Sequence, residues 1–144
     1  MPLAHTIQDP VRRARIVAAA MAEVDAELNE RSGVSGVAFR QAFKAAQKLR
    51  PGFFEQNIDL MLPGLAAVMD PHLEAGASRG DAHAYLLEHA DAVAEDLLTV
   101  TDDRVAASNN RVANGIYEKM RGRAKSNVAD AMPRVARFAI QHCG

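Results

Sequence analysis

The sequence predicts an all-α protein, a single-domain bundle of about six helices with no β-strands, and three observations carry that expectation. Apolar residues recur at spacings of three and four along most of the chain, the period of a buried helix stripe, and nowhere alternate as in a strand. Aromatic residues make up only 5% of the chain and alanine is abundant, a balance that favours helix over sheet. Helix starts and stops, notably Asp-Pro pairs and Pro-Gly turns, fall between the periodic segments. At 144 residues the chain fits one domain, residues 1–144, with a core large enough to need neither metal nor disulfide. Residues 1–8 and 142–144 are expected as flexible ends.

The first helix starts at Asp9-Pro10, where a carboxylate can accept from open amides and a proline occupies the first helical position. Ala14, Val17, Met21, Val24 and Leu28 form its seam, leaving Arg13, Arg15, Glu23, Glu27 and Glu30 on solvated sides. Ser32-Gly33 closes it, and Ser35 is a candidate cap for a second helix from about Val37 to Leu49, with Phe39, Phe43, Ala46 and Leu49 on its apolar side. Arg50-Pro51-Gly52 ends that helix, because the residue before a proline is pushed out of the helical region.

Phe53 to Met69 is the most apolar run and the expected centre of the fold. Phe54, Ile58, Met61, Leu62, Leu65, Val68 and Met69 share one stripe, with Leu65 placed at the middle of the core. Pro63 is expected to break the helix at Leu62, because its ring removes a backbone donor and crowds the preceding turn. The run is too short and too interrupted to span a bilayer. Asp70-Pro71 repeats the start signal and predicts a short helix, followed by a loop over residues 75–80. Asp81 then caps a helix bearing Ala82, Tyr85, Leu86, His89, Val93, Leu97 and Val100 on one face. Thr101, Asp102 and Asp103 read as the start of the next helix, which carries Val105, Val112, Ile116 and Met120 and ends or kinks at Arg121-Gly122-Arg123. Pro133 restarts the last segment, whose apolar side is Val128, Met132, Val135 and Phe138 or Ala139.

The formal net charge is -1, but the charges are segregated. Residues 1–54 carry eight basic and five acidic side chains, residues 55–103 one and eleven, and residues 104–144 eight and two. The acidic and basic blocks can pair within one bundle, pair between subunits, or leave a basic face for a phosphate-rich partner. The single cysteine, Cys143, excludes an internal disulfide and suits a reducing compartment, so a cytoplasmic location is expected. The N-terminus lacks the basic and apolar regions of a signal peptide.

Asp9-Pro10, the SGVSGVAFRQAFKAAQKLRPGF run from Ser32 to Phe53, LMLPG from Leu60 to Gly64, TDDRVAAS from Thr101 to Ser108 and RGRAK from Arg121 to Lys125 together resemble a small all-helical bacterial family of unknown function. The resemblance spans nearly the whole chain. It implies the helical fold and brings no catalytic or binding residues.

Few residues invite chemistry. His83, Glu88, His89, Asp91 and Glu95 crowd one helix, but neither Glu-x-x-His nor His-Glu-x-x-His occurs, so no metal or other cofactor is assigned. No nucleophile elbow or phosphate loop is present, and no catalytic residue is assigned. His72, in a first turn, is expected exposed. The possible ligand or partner contacts are Asn109, which falls on a helix stripe where an apolar side chain is expected, with Asn110 and Asn114, together with His89, Tyr85, Arg121, Arg123 and Lys125. The missing aromatic interleaving disfavours nucleic acid. The expected function is therefore non-enzymatic: self-association as a homo-oligomer, or contact with another protein. One alternative is carriage of a small apolar ligand in a gap beside Pro63, Met61 and Met69, with Met21 and Met132. The other is a phosphate-rich partner on the basic C-terminal face.

Overall fold

The computed structural model describes residues 1–30, 33–109 and 111–143, apart from the side chains of Val34, Ser35, Phe39 and Ala113. The expected roles of Ser32, of the Ser35 and Phe39 side chains and of Asn110 thus fall outside the described residues. Those residues form eight helices rather than about six, and no strand. They are α1 (Leu3–Thr6), α2 (Pro10–Glu30), α3 (Gly33–Leu49), α4 (Phe53–Ser78), α5 (Ala82–Glu88), α6 (Ala90–Ala106), α7 (Arg111–Asp130) and α8 (Met132–His142).

Two caps form as their residues predict. Asp9 Oδ1 accepts from the amides of Val11 and Arg12 at 2.9 and 3.3 Å, and Asp81 Oδ1 accepts from that of Ala84 at 3.0 Å. Gly52, at φ 80°, supplies the left-handed turn between α3 and α4.

The central run differs from expectation. Helix α4 is continuous for 26 residues and holds both Pro63 and Pro71 in its interior. A proline at 63 leaves the carbonyl of Asp59 without its helical donor. Arg13 of α2 supplies a replacement: its Nη2 donates to Asp59 O at 2.6 Å while its Nε donates to Asp59 Oδ1 at 2.6 Å. Pro71 orphans the carbonyl of Ala67, which lies on the exposed side where water can serve it. Asp70 does not start a helix. From the middle of α4 its two carboxylate oxygens accept from the amides of Leu3 and Ala4, at 2.7 and 3.0 Å, and so cap α1. The loop expected over residues 75–80 shrinks to a turn at Arg79-Gly80, because α4 runs on to Ser78. Gly76 is required there, since a Cβ would stand 2.8 Å from the Ala82 Cα across the hairpin to α5.

Four further boundaries shift. Helix α3 begins at Gly33, ahead of the expected start at about Val37. The helix after Asp81 breaks at His89, where the Tyr85 carbonyl accepts from both the His89 amide, at 3.1 Å, and its ring Nδ1, at 2.9 Å. Thr101, Asp102 and Asp103 lie inside α6, which ends only at Ala106. The Asp102 carboxylate is engaged by side chains of α7 instead of by its own helix. Helix α7 runs unbroken through Gly122 to Asp130. Pro133 falls in the first turn of α8, as expected.

The core is built on one line of α4, Leu62, Ala66, Met69 and Leu73, which meets Leu86 of α5, Val93 of α6, Ile16 of α2 and Met132, Ala136 and Ala139 of α8. Helix α4 touches α1, α2, α3, α5 and α6, so the apolar run does sit at the centre. Leu65, however, is only half-buried, and the centre lies one helical step away at Leu62. Residues 1–8, expected as a loose end, place Leu3 and Ile7 in the core.

Candidate interaction surfaces

The acidic and basic blocks meet within the chain. Arg121 of α7 donates from Nη2 to Asp102 Oδ2 at 2.8 Å and to Glu95 Oε1 at 2.9 Å, and Lys125 Nζ lies 3.3 Å from Glu95 Oε2. Tyr117 Oη donates to Asp102 Oδ1 at 2.7 Å. These contacts zip α7 onto α6. Hydrogen bonding to Arg121 holds both the Asp102 and Glu95 carboxyls below their ordinary range, with Lys125 adding to the effect on Glu95. Burial, and then the Asp102 hydrogen bond, push the Tyr117 hydroxyl up to about 12.

The polar candidates therefore scatter. Arg121 and Lys125 are committed to carboxylates, while Arg123 is exposed. They do not form one basic patch. Asn109 is exposed in the connection before α7, not on a helix stripe, because α6 has already ended. Asn114 Nδ2 donates to Ser108 O at 3.2 Å and ties that connection to α7. His89 stacks on Tyr85 with ring centroids 4.1 Å apart; since a carbonyl can only accept, the bond to Tyr85 O puts its proton on Nδ1. The Arg79 guanidinium stands over the Tyr85 ring, 5.5 Å from its centroid. His72 is half-buried rather than exposed, with Nε2 2.7 Å from Asp96 Oδ2 across α4 and α6. Among the described residues no three His, Cys, Asp or Glu side chains are placed to hold a metal ion.

Two apolar surfaces were not legible as such. The first is a groove of about 370 Å³ between the second half of α2 and α8, walled by Ala20, Val24 and Leu28 on one side and Ala131, Val135 and Phe138 on the other. Asn127, near the end of α7, closes one flank. Along its rim Arg134 donates to Glu23 at 2.7 Å, Glu27 at 3.2 Å and Glu30 at 2.6 Å. The bonds to Glu30 and Glu23 strengthen the hold of Arg134 on its proton. The three glutamates read as solvated are thus gathered on one guanidinium; their spacing of four and three on one helix face was the available signal. The groove is also not where the methionines predicted a gap, because Met21, Met69 and Met132 are packed into the core.

The second surface is on α7. Val112, Ile116 and Met120 read as a buried stripe, but they are 75%, 55% and 38% exposed. The opposite face of α7, through Tyr117 and Arg121, is the one that packs on α6.

These features define a compact class: an all-helical bundle whose helices are joined by intramolecular ion pairs and which bears an open apolar groove and an uncovered helix stripe. Among the described residues no helix is long and apolar enough to cross a membrane. The chain belongs to the family of unknown function DUF6918, which matches it over residues 3–143. No curated protein and no solved structure matches it.

Proposed function

We propose that this protein acts without catalysis, by associating with further copies of itself. The observation that carries the reading is the α7 stripe: three large apolar side chains at one helical spacing, on a helix whose other face is already occupied. Isolated apolar residues on a surface need no explanation, but a contiguous row of them favours a partner. The lone cysteine suits a reducing compartment such as the cytoplasm. Sedimentation velocity over a wide concentration range tests the reading. The wild-type chain is expected to shift to a heavier species as concentration rises, and Val112→Ser with Ile116→Ser to remain a monomer. A wild-type chain that stays monomeric throughout would sink it.

The groove supports a second reading, a carrier of a small apolar ligand, because its volume lies in the range of about 300–1,000 Å³ typical of ligand pockets. Native mass spectrometry of gently purified protein checks this: a carrier retains a bound mass, and an empty spectrum refutes it.

A further inference from the structure

Resting on the self-association reading, we infer that the α7 stripe of one copy docks in the α2–α8 groove of a second copy. Three features of the two surfaces match.

The first is length. The stripe is Val112, Ile116 and Met120, and the α2 wall of the groove is Ala20, Val24 and Leu28. Both rows step by four residues over two turns, so each is about 12 Å long at 1.5 Å per residue. Two ridges of this four-residue kind interdigitate in the commonest mode of helix packing. The α8 wall, Ala131, Val135 and Phe138, then meets the other side of the incoming helix.

The second is charge. At 100° per residue Lys119 and Arg123 fall on the same face of α7 as Val112 and Ile116, and both are exposed. The groove is rimmed by carboxylates. Among the described residues, Glu23, Glu27 and Glu30 stand against Arg134 and against Arg40, whose Nη1 donates to the Leu28 carbonyl at 3.0 Å, so the rim keeps one net negative charge. A basic apolar helix therefore meets an acidic apolar groove.

The third is placement. The stripe cannot fill the groove of its own chain, because the same helix closes that groove with Asn127 and is fixed to α6 by Arg121. Asn127 and the stripe share one helix face, so groove and stripe look out on the same side of the molecule. Two copies with antiparallel α7 helices can then exchange both contacts at once, which closes the assembly as a two-fold dimer.

Paired charge reversal in the full chain tests this. One variant carries Lys119→Glu and Arg123→Glu, and the other carries Glu23→Lys and Glu30→Lys. Each alone places like charges at both contacts of its own dimer, and its self-association is expected to weaken by about a hundredfold. Mixed in equal amounts, the two restore complementary charge at both contacts, and a heterodimer is expected in sedimentation and in native mass spectrometry. Circular dichroism checks that each is folded. Because the Glu23 and Glu30 changes also disturb the Arg134 cluster, Ile116→Lys, at an exposed residue, serves as the independent variant and is expected to abolish dimerisation. If the wild type dimerises while the reversed variants and Ile116→Lys dimerise equally well, the docking is wrong and self-association stands. If the mixture fails to pair although both variants are folded, the docking is likewise wrong. A wild type that never self-associates overturns both.

Discussion

Helix α4 survives Pro63 because Arg13 stands in for the missing amide, and a double-mutant cycle on these two residues measures that substitution. In the wild type, Arg13→Ala removes two interactions. The Nε bond to the Asp59 carboxylate joins side chains that are 31% and 48% exposed, so solvent screening limits it to about 0.5 kcal/mol. The Nη2 bond serves the orphaned Asp59 carbonyl, and leaving that group unpaired costs about 1 kcal/mol, at the low end because water has partial access. The sum is about 1.5 kcal/mol, a fall in Tm of about 3–6 °C for a domain of this size. In a Pro63→Ala background the new backbone amide reaches the same carbonyl, so Arg13→Ala should then cost only the exposed pair. The coupling is therefore about 1 kcal/mol, and effects of proline removal on the unfolded chain cancel in the cycle. Denaturant unfolding of the four proteins provides the measurement. Additivity within about 0.3 kcal/mol would refute the claim that Arg13 replaces the helical bond.

Leu86→Ala, at a fully buried side chain, should cost about 2–5 kcal/mol in the same assay and clearly more than Leu65→Ala, which is half-buried; the reverse order would misplace the core. Asp102 and Glu95 have folded pKa values below their ordinary 3.8 and 4.5, so their contribution is present above those values and is lost as pH falls through the lowered ones; Arg121→Met should flatten this acid limb of the stability profile, and an unchanged limb would count against the network. Tyr117 is raised from 10.0 to about 12, so its contribution is present below pH 10 and is lost as pH rises through 12; absorbance titration should show a late tyrosine that Tyr117→Phe removes. Asp70→Ala should cost about 1 kcal/mol and expose residues 3–6 to hydrogen exchange, whereas unchanged protection there would show that α1 does not depend on that carboxylate.

Signals that act within a few residues were legible in the sequence, and those answered from elsewhere were not. Asp9 and Asp81 cap the helices that follow them, because a cap and its amides are neighbours in the chain. Pro63 and Asp70 also carry local signals, but their partners are distant: Arg13 lies 46 residues from the Asp59 carbonyl it serves, and Leu3 lies 67 residues from Asp70. Neither is visible from a proline or an Asp-Pro pair. Asp102 reads as a carboxylate at the start of a helix and serves instead as an anchor for Tyr117 and Arg121 on the next one. The surfaces follow the same logic. Spacing identifies Val112, Ile116 and Met120 as one face without saying whether a neighbour covers it. Glu23, Glu27 and Glu30 form one row, but only the fold brings Arg134 to it.

The cap that Asp70 places on α1 also sets an order of events. Four residues are too few to hold a helix in water, so Leu3 to Thr6 cannot settle before their acceptor exists. Leu3 leaves the ribosome 67 residues ahead of Asp70, an interval of about 3–13 s at 5–20 residues per second. Throughout that interval Leu3 and Ile7 have neither the carboxylate nor the α4 and α8 surfaces they later bury against. Residues 3–7 are consequently exposed to chaperones and proteases until α4 and then α8 have emerged, and they are held by the same carboxylate that an Asp-Pro pair would otherwise have turned on its own helix.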